Sequence, residues 1–97
     1  MISTSDENGT ITISVSGNFD FSSHRDFIDA YKQYEKHQKR FVVDLNKAEY
    51  MDSSALGMLL QLKEYSKGGD SVVISNPNDD VTKILQIAKF DQLFKIR

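Results

Sequence analysis

Cysteine is absent from this 97-residue chain, which excludes disulfides and thiolate metal sites. A chain without cysteine suits a reducing compartment, so we expect a cytoplasmic protein. An excess of basic residues is also absent, because 12 Lys and Arg stand against 14 Asp and Glu, for a net charge of -2. Such a chain has no positive field to hold a polyanion, and nucleic acid is not an expected partner.

Long apolar runs are missing as well. Residues 1–8 are polar and acidic, where a secretory signal would place positive charge followed by an apolar run. No later stretch approaches the ~18 apolar residues that span a bilayer. We therefore expect neither export by that route nor direct insertion into a membrane.

Residue patterns for catalysis and cofactor binding are missing too. His24 and His37, the only histidines, would face different directions on one helix, so we interpret both as surface residues and expect no shared metal site. Gly17 and the pair Gly68-Gly69 match neither glycine-rich phosphate-binding pattern. No two carboxylates have a recognisable spacing for acid and base work. We expect no catalytic residue, no metal, no cofactor and no enzymatic activity.

The apolar residues are arranged for one α/β domain over residues 1–97. Residues 10–16 alternate strictly between apolar and hydroxyl side chains, which predicts a half-buried strand. The pair Asn8-Gly9 before it favours a tight turn, so a β-hairpin with a strand around residues 2–5 is expected to open the domain.

Helices and strands are predicted to alternate three times after this hairpin. The expected elements are a helix from residue 22 or 23 to about 37, a strand at 41–45, a loop at 46–51, a helix from about 53 that stops at 68–69, a strand at 71–75, a helix after the capping segment 76–80 that ends near 89, and a strand at 93–96. Such alternation predicts right-handed crossovers and a mixed, largely parallel sheet.

One segment is distinctive: the strand that ends in Asp44-Leu45 is followed by a six-residue loop and by Asp52-Ser53-Ser54-Ala55-Leu56-Gly57 at the start of a leucine-rich helix. This order resembles the STAS family, the sulfate-transporter and anti-sigma-factor-antagonist domains, whose motif is an Asp-Ser-Ser-Gly-Leu-Gly type turn. Segments 15–20 and 90–96 are similar to further family elements, so the resemblance covers nearly the whole chain. Ala55 stands where many stand-alone antagonists have glycine, a difference that concerns loop geometry.

The resemblance implies a partner-switching protein of the anti-sigma-factor-antagonist type. Ser53 corresponds to the family's phosphorylated serine, and Asp20 corresponds to an acid that faces the partner. The unphosphorylated chain would bind an anti-sigma factor or a serine kinase and free that protein's other client. An ATP-dependent kinase would phosphorylate the chain and a metal-dependent serine phosphatase would restore it, so ATP and metal would belong to the partners.

Two other functions are considered. Some lone STAS domains that resemble this chain bind the ATPase of a lipid-transporting ABC system, and there the serine helix would be a docking surface. A receiver-like phosphoacceptor built around Asp44 ranks lower, because the chain lacks the paired acids after a first parallel strand that would hold a metal. Asp44 is expected instead to close its strand and organise the loop that follows.

The residues themselves are consistent with a switch at Ser53, since first-turn amides and the helix dipole favour an anion at a helix start. The alternative is that Asp52, Ser53 and Ser54 only cap the helix. Ser54 is the competing site of phosphorylation, and Asp20 has the alternative role of a turn residue.

The expected partner-binding residues surround this helix start. They are Asp20, Asp52, Ser53 and Ser54, with Met51 and Met58 as apolar contacts. Methionine is included because its flexible side chain adapts to a partner surface.

Overall fold

The structure is a computed structural model that describes all residues, 1–97. The strands are β1 (Ile2–Glu7), β2 (Thr10–Phe19), β3 (Arg40–Met51), β4 (Val72–Ser75) and β5 (Lys95–Ile96), and the helices are α1 (His24–Lys32), α2 (Ser53–Tyr65) and α3 (Asp79–Ile87). Short 3-10 turns occupy Phe21–Ser23, Lys67–Gly69 and Phe90–Gln92. None of the helices combines the length and the apolar character needed to cross a bilayer.

The five strands form one sheet in the order β1-β2-β3-β4-β5. β1 is antiparallel to β2, and the other neighbouring pairs are parallel, which confirms the prediction of a mixed, largely parallel sheet. Each parallel connection contains one helix. Right-handed crossovers that advance across the sheet in one direction place all three helices on the same face.

The hydrophobic core lies between this helical layer and the sheet. In β2 the apolar side chains of Ile11, Ile13 and Val15 are buried, whereas Thr12 and Ser14 between them are partly exposed. This alternation shows that one face of the sheet is covered and the other is open. Aromatic rings fill the region under α1, where Phe27 contacts Phe19 with ring centroids 5.0 Å apart.

The predicted β-hairpin is confirmed. Glu7 pairs with Thr10, and the two residues between them, Asn8 and Gly9, have φ angles of 52° and 85°. Two consecutive positive φ angles match the right-handed twist of the strands that they join, and asparagine followed by glycine tolerates them at low cost.

The first helix is shorter than predicted, because α1 ends at Lys32 and not near His37. The chain after α1 is held by contacts with the end of α2. The backbone N–H of His37 donates to the carbonyl of Tyr65 at 2.9 Å, and its ring Nε2 lies 2.9 Å from the carbonyl oxygen of Glu64. His37 has a φ of 67°, which is incompatible with a continuing α-helix.

The predicted loop at 46–51 is wrong, because β3 continues through it to Met51. The second half of β3 pairs with the second half of β2, which itself extends beyond the predicted end to Phe19. Two shifts of register, between Ser14 and Ser16 and between Gly17 and Asn18, interrupt the pairing. Such bulges break the alternation of apolar and polar residues, which is the signal by which a strand is detected in a sequence.

Adjacent leucines of α2 offer a test of the packing. Leu59 is fully buried, whereas Leu60 is 41% exposed. We expect Leu59→Ala to lower the free energy of unfolding by about 2–5 kcal/mol, because the truncation leaves a cavity under the sheet. Leu60→Ala, the control with the same chemical change, should alter it by about 0.5 kcal/mol or less. Equal losses for the two variants in urea unfolding would contradict the placement of α2.

Candidate functional site

The carboxyl ends of β2 and β3 lie side by side at one edge of the sheet. Phe19 is in register with Met51, and the backbone N–H of Asp52 donates to the carbonyl of Phe19 at 3.2 Å. Neighbouring strands are about 4.8 Å apart, so Asp20 and Asp52, the next residue of each chain segment, leave the sheet together. The two acids predicted to face a partner are thus brought to one place.

Asp52 is the N-cap of α2. Its Oδ1 atom accepts hydrogen bonds from the backbone N–H groups of Ser54 at 3.0 Å and Ala55 at 3.2 Å, and from the hydroxyl of Ser54 at 2.5 Å. The first amides of a helix have no partner within the helix, so this carboxylate stabilises the start of α2.

The same hydrogen bonds stabilise the ionised form of the Asp52 carboxyl group. The hydroxyl of Ser54 is the main reason that the pKa of Asp52 lies below its ordinary value; desolvation raises this pKa, and the amides of Ala55 and Ser54 lower it further. Asp52 is therefore a carboxylate at neutral pH and adds negative charge beside Ser53.

Ser53 and Ser54 differ in their use within the fold. The hydroxyl of Ser54 is engaged with Asp52 and the residue is partly buried. Ser53 is exposed at the first position of α2, and its hydroxyl takes no part in the cap. The serine that the family resemblance marks is thus the one that solvent reaches more readily.

Asp20 forms a turn that shares two of the three hydrogen bonds made by Asp52. Its Oδ1 accepts from the backbone N–H of Ser22 at 2.9 Å and from the hydroxyl of Ser22 at 2.5 Å. Asp20 therefore caps the 3-10 turn that leads into α1, whereas Ser23, at the N-cap position of α1, makes no side-chain capping hydrogen bond. Ser23 is buried, and its hydroxyl donates to the carbonyl of Asn18 at 3.1 Å.

The two methionines predicted as partner contacts are in the core instead. Met51 is 1% exposed, because its register with Phe19 turns it toward the helices, and Met58 is 2% exposed on the sheet side of α2. Both side chains therefore serve the core, and the prediction that they are exposed partner contacts is corrected, although Met51 also lines the groove next to Ser53.

Exposed apolar side chains near Ser53 come from residues that the sequence reasoning did not select. Ser53 itself lines a groove, together with Met51 and Asp52 and with five residues that were not selected: Tyr50, Leu56, Ile84, Ile87 and Ala88. Ile87 is 83% exposed, and Phe21, in the Asp20 turn, is 71% exposed. A signal existed for Ile87, since the buried face of α3 is already supplied by Val81 and Leu85 and Ile87 lies outside their spacing.

The cap at Asp52 generates a prediction. Asp52→Ala should lower the free energy of unfolding by about 0.5–2 kcal/mol at pH 7, because two helix amides lose their acceptor. Asp52→Asn keeps an acceptor oxygen without the charge and should retain most of this stability.

Acid titration separates charge from capping. Since the folded-state pKa of Asp52 is lowered, its charge contributes stability above the ordinary carboxyl pKa, and the contribution disappears as pH falls through the lowered value. The stability difference between the parent and Asp52→Asn should therefore shrink toward acid pH. A difference that is constant down to acid pH in urea unfolding would contradict this assignment.

Comparison with known proteins agrees with the fold and the motif. The family described as "Mlab, STAS domain" matches residues 2–96. A STAS-domain containing protein of Pseudomonas aeruginosa (strain UCBPP-PA14) is 51% identical over 88 residues, which are 89% of this chain and 86% of that protein.

Solved structures share the fold at low sequence identity. An anti-sigma factor antagonist from Mycobacterium paratuberculosis superposes with a TM-score of 0.82 at 17% identity, covering 99% of this chain and 83% of that one. The anti-sigma factor antagonist SpoIIAA in its unphosphorylated form gives a TM-score of 0.78 at 16% identity, covering 100% and 88%. The resemblance first seen in the Asp-Ser-Ser turn is therefore confirmed, and this chain belongs to the STAS domain family.

Proposed function

We propose that the chain is a partner-switching protein of the anti-sigma-factor-antagonist type. Its unphosphorylated form binds an anti-sigma factor or a serine kinase, and reversible phosphorylation of Ser53 ends that association. The observation that carries the proposal is the exposure of Ser53 at the start of α2, beside two carboxylate-capped turns. The fold that this chain shares with solved antagonists supports it.

The division of hydrogen bonds favours Ser53 over Ser54 as the phosphorylated residue. A phosphate on Ser54 would remove the hydroxyl that donates to Asp52 and would place a dianion against that carboxylate. A phosphate on Ser53 leaves the Asp52 cap in place. Phosphorylation of Ser53 therefore destabilises the fold less than phosphorylation of Ser54.

A phosphate at Ser53 acts on association more than on folding. Negative charge near a helix N-terminus is favourable by about 0.3–1 kcal/mol, and the nearby carboxylate of Asp52 offsets part of this gain. In a complex, the same group, with about -1.5 to -2 charges, loses hydration against the partner surface. Binding falls while the folded state stays intact.

The proposal assigns the chemistry of phosphate transfer to the partners. A serine kinase transfers the γ-phosphoryl group of ATP to the hydroxyl of Ser53 and releases ADP, and a serine phosphatase hydrolyses the ester to restore serine and release inorganic phosphate. Such a protein works in the cytoplasm, where it regulates transcription by occupying an anti-sigma factor. The absence of cysteine is compatible with that compartment.

Phosphate mapping tests the assignment. With ATP and the cognate serine kinase, the parent and Ser54→Ala should be modified once, at Ser53, and Ser53→Ala should stay unmodified. The phosphorylated chain should bind its partner at least about tenfold more weakly, about 1.4 kcal/mol, because the phosphate is desolvated in the complex. Its stability should change by no more than about 1 kcal/mol.

Two results would overturn this function. One is full modification of Ser53→Ala, which would move the phosphate to another residue. The other is that the phosphorylated and parent chains bind the partner with equal affinity, which would leave Ser53 without a regulatory role.

A second candidate is a subunit that docks on the ATPase of a lipid-transporting ABC system. It is retained because the family that matches residues 2–96 is described as Mlab and not as an antagonist. In that case the start of α2 is a permanent docking surface. Stable binding to such an ATPase, with no binding to an anti-sigma factor or serine kinase, would favour this second function.

A further inference from the structure

Phe21 is the most exposed aromatic side chain of the protein, with 71% of its surface in contact with solvent. The core does not use this ring, since the buried phenylalanines under α1 are Phe19 and Phe27. An exposed aromatic ring of this kind gains free energy when another surface covers it. Burial of the Phe21 ring therefore stabilises a complex more than it stabilises the fold.

The position of Phe21 relative to Ser53 follows from the two aspartate turns. In each turn, one aspartate Oδ1 atom accepts from the N–H and the hydroxyl of the serine two residues later, Ser22 or Ser54. Phe21 and Ser53 are the residues between aspartate and serine. The register of Phe19 with Met51 makes the turns neighbours, so the exposed ring and the exposed hydroxyl occupy equivalent positions in adjacent turns.

The ring of Phe21 has a stacking partner within its own turn. It stacks on the imidazole of His24, with centroids 5.5 Å apart and an angle of 24° between the planes. The backbone beneath it is fixed by the hydrogen bonds to Asp20. These contacts restrict the ring and its backbone in the free chain, which lowers the conformational entropy lost on binding and favours its use as an anchor.

We propose that Phe21 is an anchor residue of the partner interface, inserted into an apolar pocket of the same protein that covers Ser53. This inference rests on the proposed function of Ser53. The pocket must exclude water to hold the ring, and a phosphate in the adjacent turn keeps water at its rim. Phosphorylation of Ser53 thus weakens binding by preventing the burial of Phe21.

The experiment compares affinities for the anti-sigma factor or serine kinase that the parent chain binds. Phe21→Ala should weaken binding by at least about 30-fold, as expected for an interface hot spot. Phe21→Gln, which keeps bulk but is polar, should weaken it similarly. Leu93→Ala is the matched control. Leu93 is 45% exposed and comes just before β5, at the end of the sheet away from the carboxyl ends of β2 and β3, so this variant should bind like the parent.

A double-mutant cycle tests the link to phosphorylation. If the phosphate acts through Phe21, phosphorylation of Ser53 should weaken binding several-fold less in Phe21→Ala than in the parent, so that the two effects are not additive. Thermal melting of every variant checks that the chain is folded, and the exposure of Phe21 predicts unchanged melting temperatures.

The outcomes distinguish this inference from the function on which it rests. If phosphorylation releases the partner but Phe21→Ala binds within about threefold of the parent, the anchor is wrong and the switch stands. Additive effects of the phosphate and Phe21→Ala would also overturn the coupling. If the parent binds neither an anti-sigma factor nor a serine kinase, both proposals fail.

Discussion

The pairing of Phe19 with Met51 is the constraint on which the site depends. For this pairing to form, β3 must continue beyond the residues that pair with β4. It then follows β2 through two shifts of register until both strands end at the same level. Both side chains are buried, so the core fixes this alignment. The residues that follow, Asp20 and Asp52, are then adjacent, and each carboxylate accepts from the N–H and the hydroxyl of the serine two residues later.

The hydrogen bonds of these turns separate the residues that cap the backbone from the residues that are exposed at the surface. The aspartates and the serines two residues later, Ser22 and Ser54, satisfy the local backbone and leave the intervening residues exposed. A change at an intervening residue, Phe21 or Ser53, therefore alters the surface without removing a cap. In the proposed function, this arrangement lets a phosphate be added to Ser53 and removed while the fold persists.

The sequence predicted most of the fold, because its strands and helices keep regular apolar spacing. The hairpin turn at Asn8-Gly9 and the start of α2 at Ser53 were identified from local chemistry. The second half of β3 was not, since bulges remove the alternation that marks a strand. For the same reason Met51 was assigned to the surface, although its register with β2 buries it. The exposure of Phe21 depends on how its turn packs against the rest of the domain, and the residues of that turn alone do not reveal this packing.

The most direct test of the account is a residue-by-residue map of the partner surface. The isotopically labelled, unphosphorylated chain would be titrated with its binding partner and followed by amide NMR. The largest chemical-shift changes should fall on residues 20–22 and 52–54. They should disappear when Ser53 carries a phosphate. Changes centred instead on the open face of the sheet, around Thr12 and Val42, would contradict the central claim that the paired aspartate turns form the regulated interface.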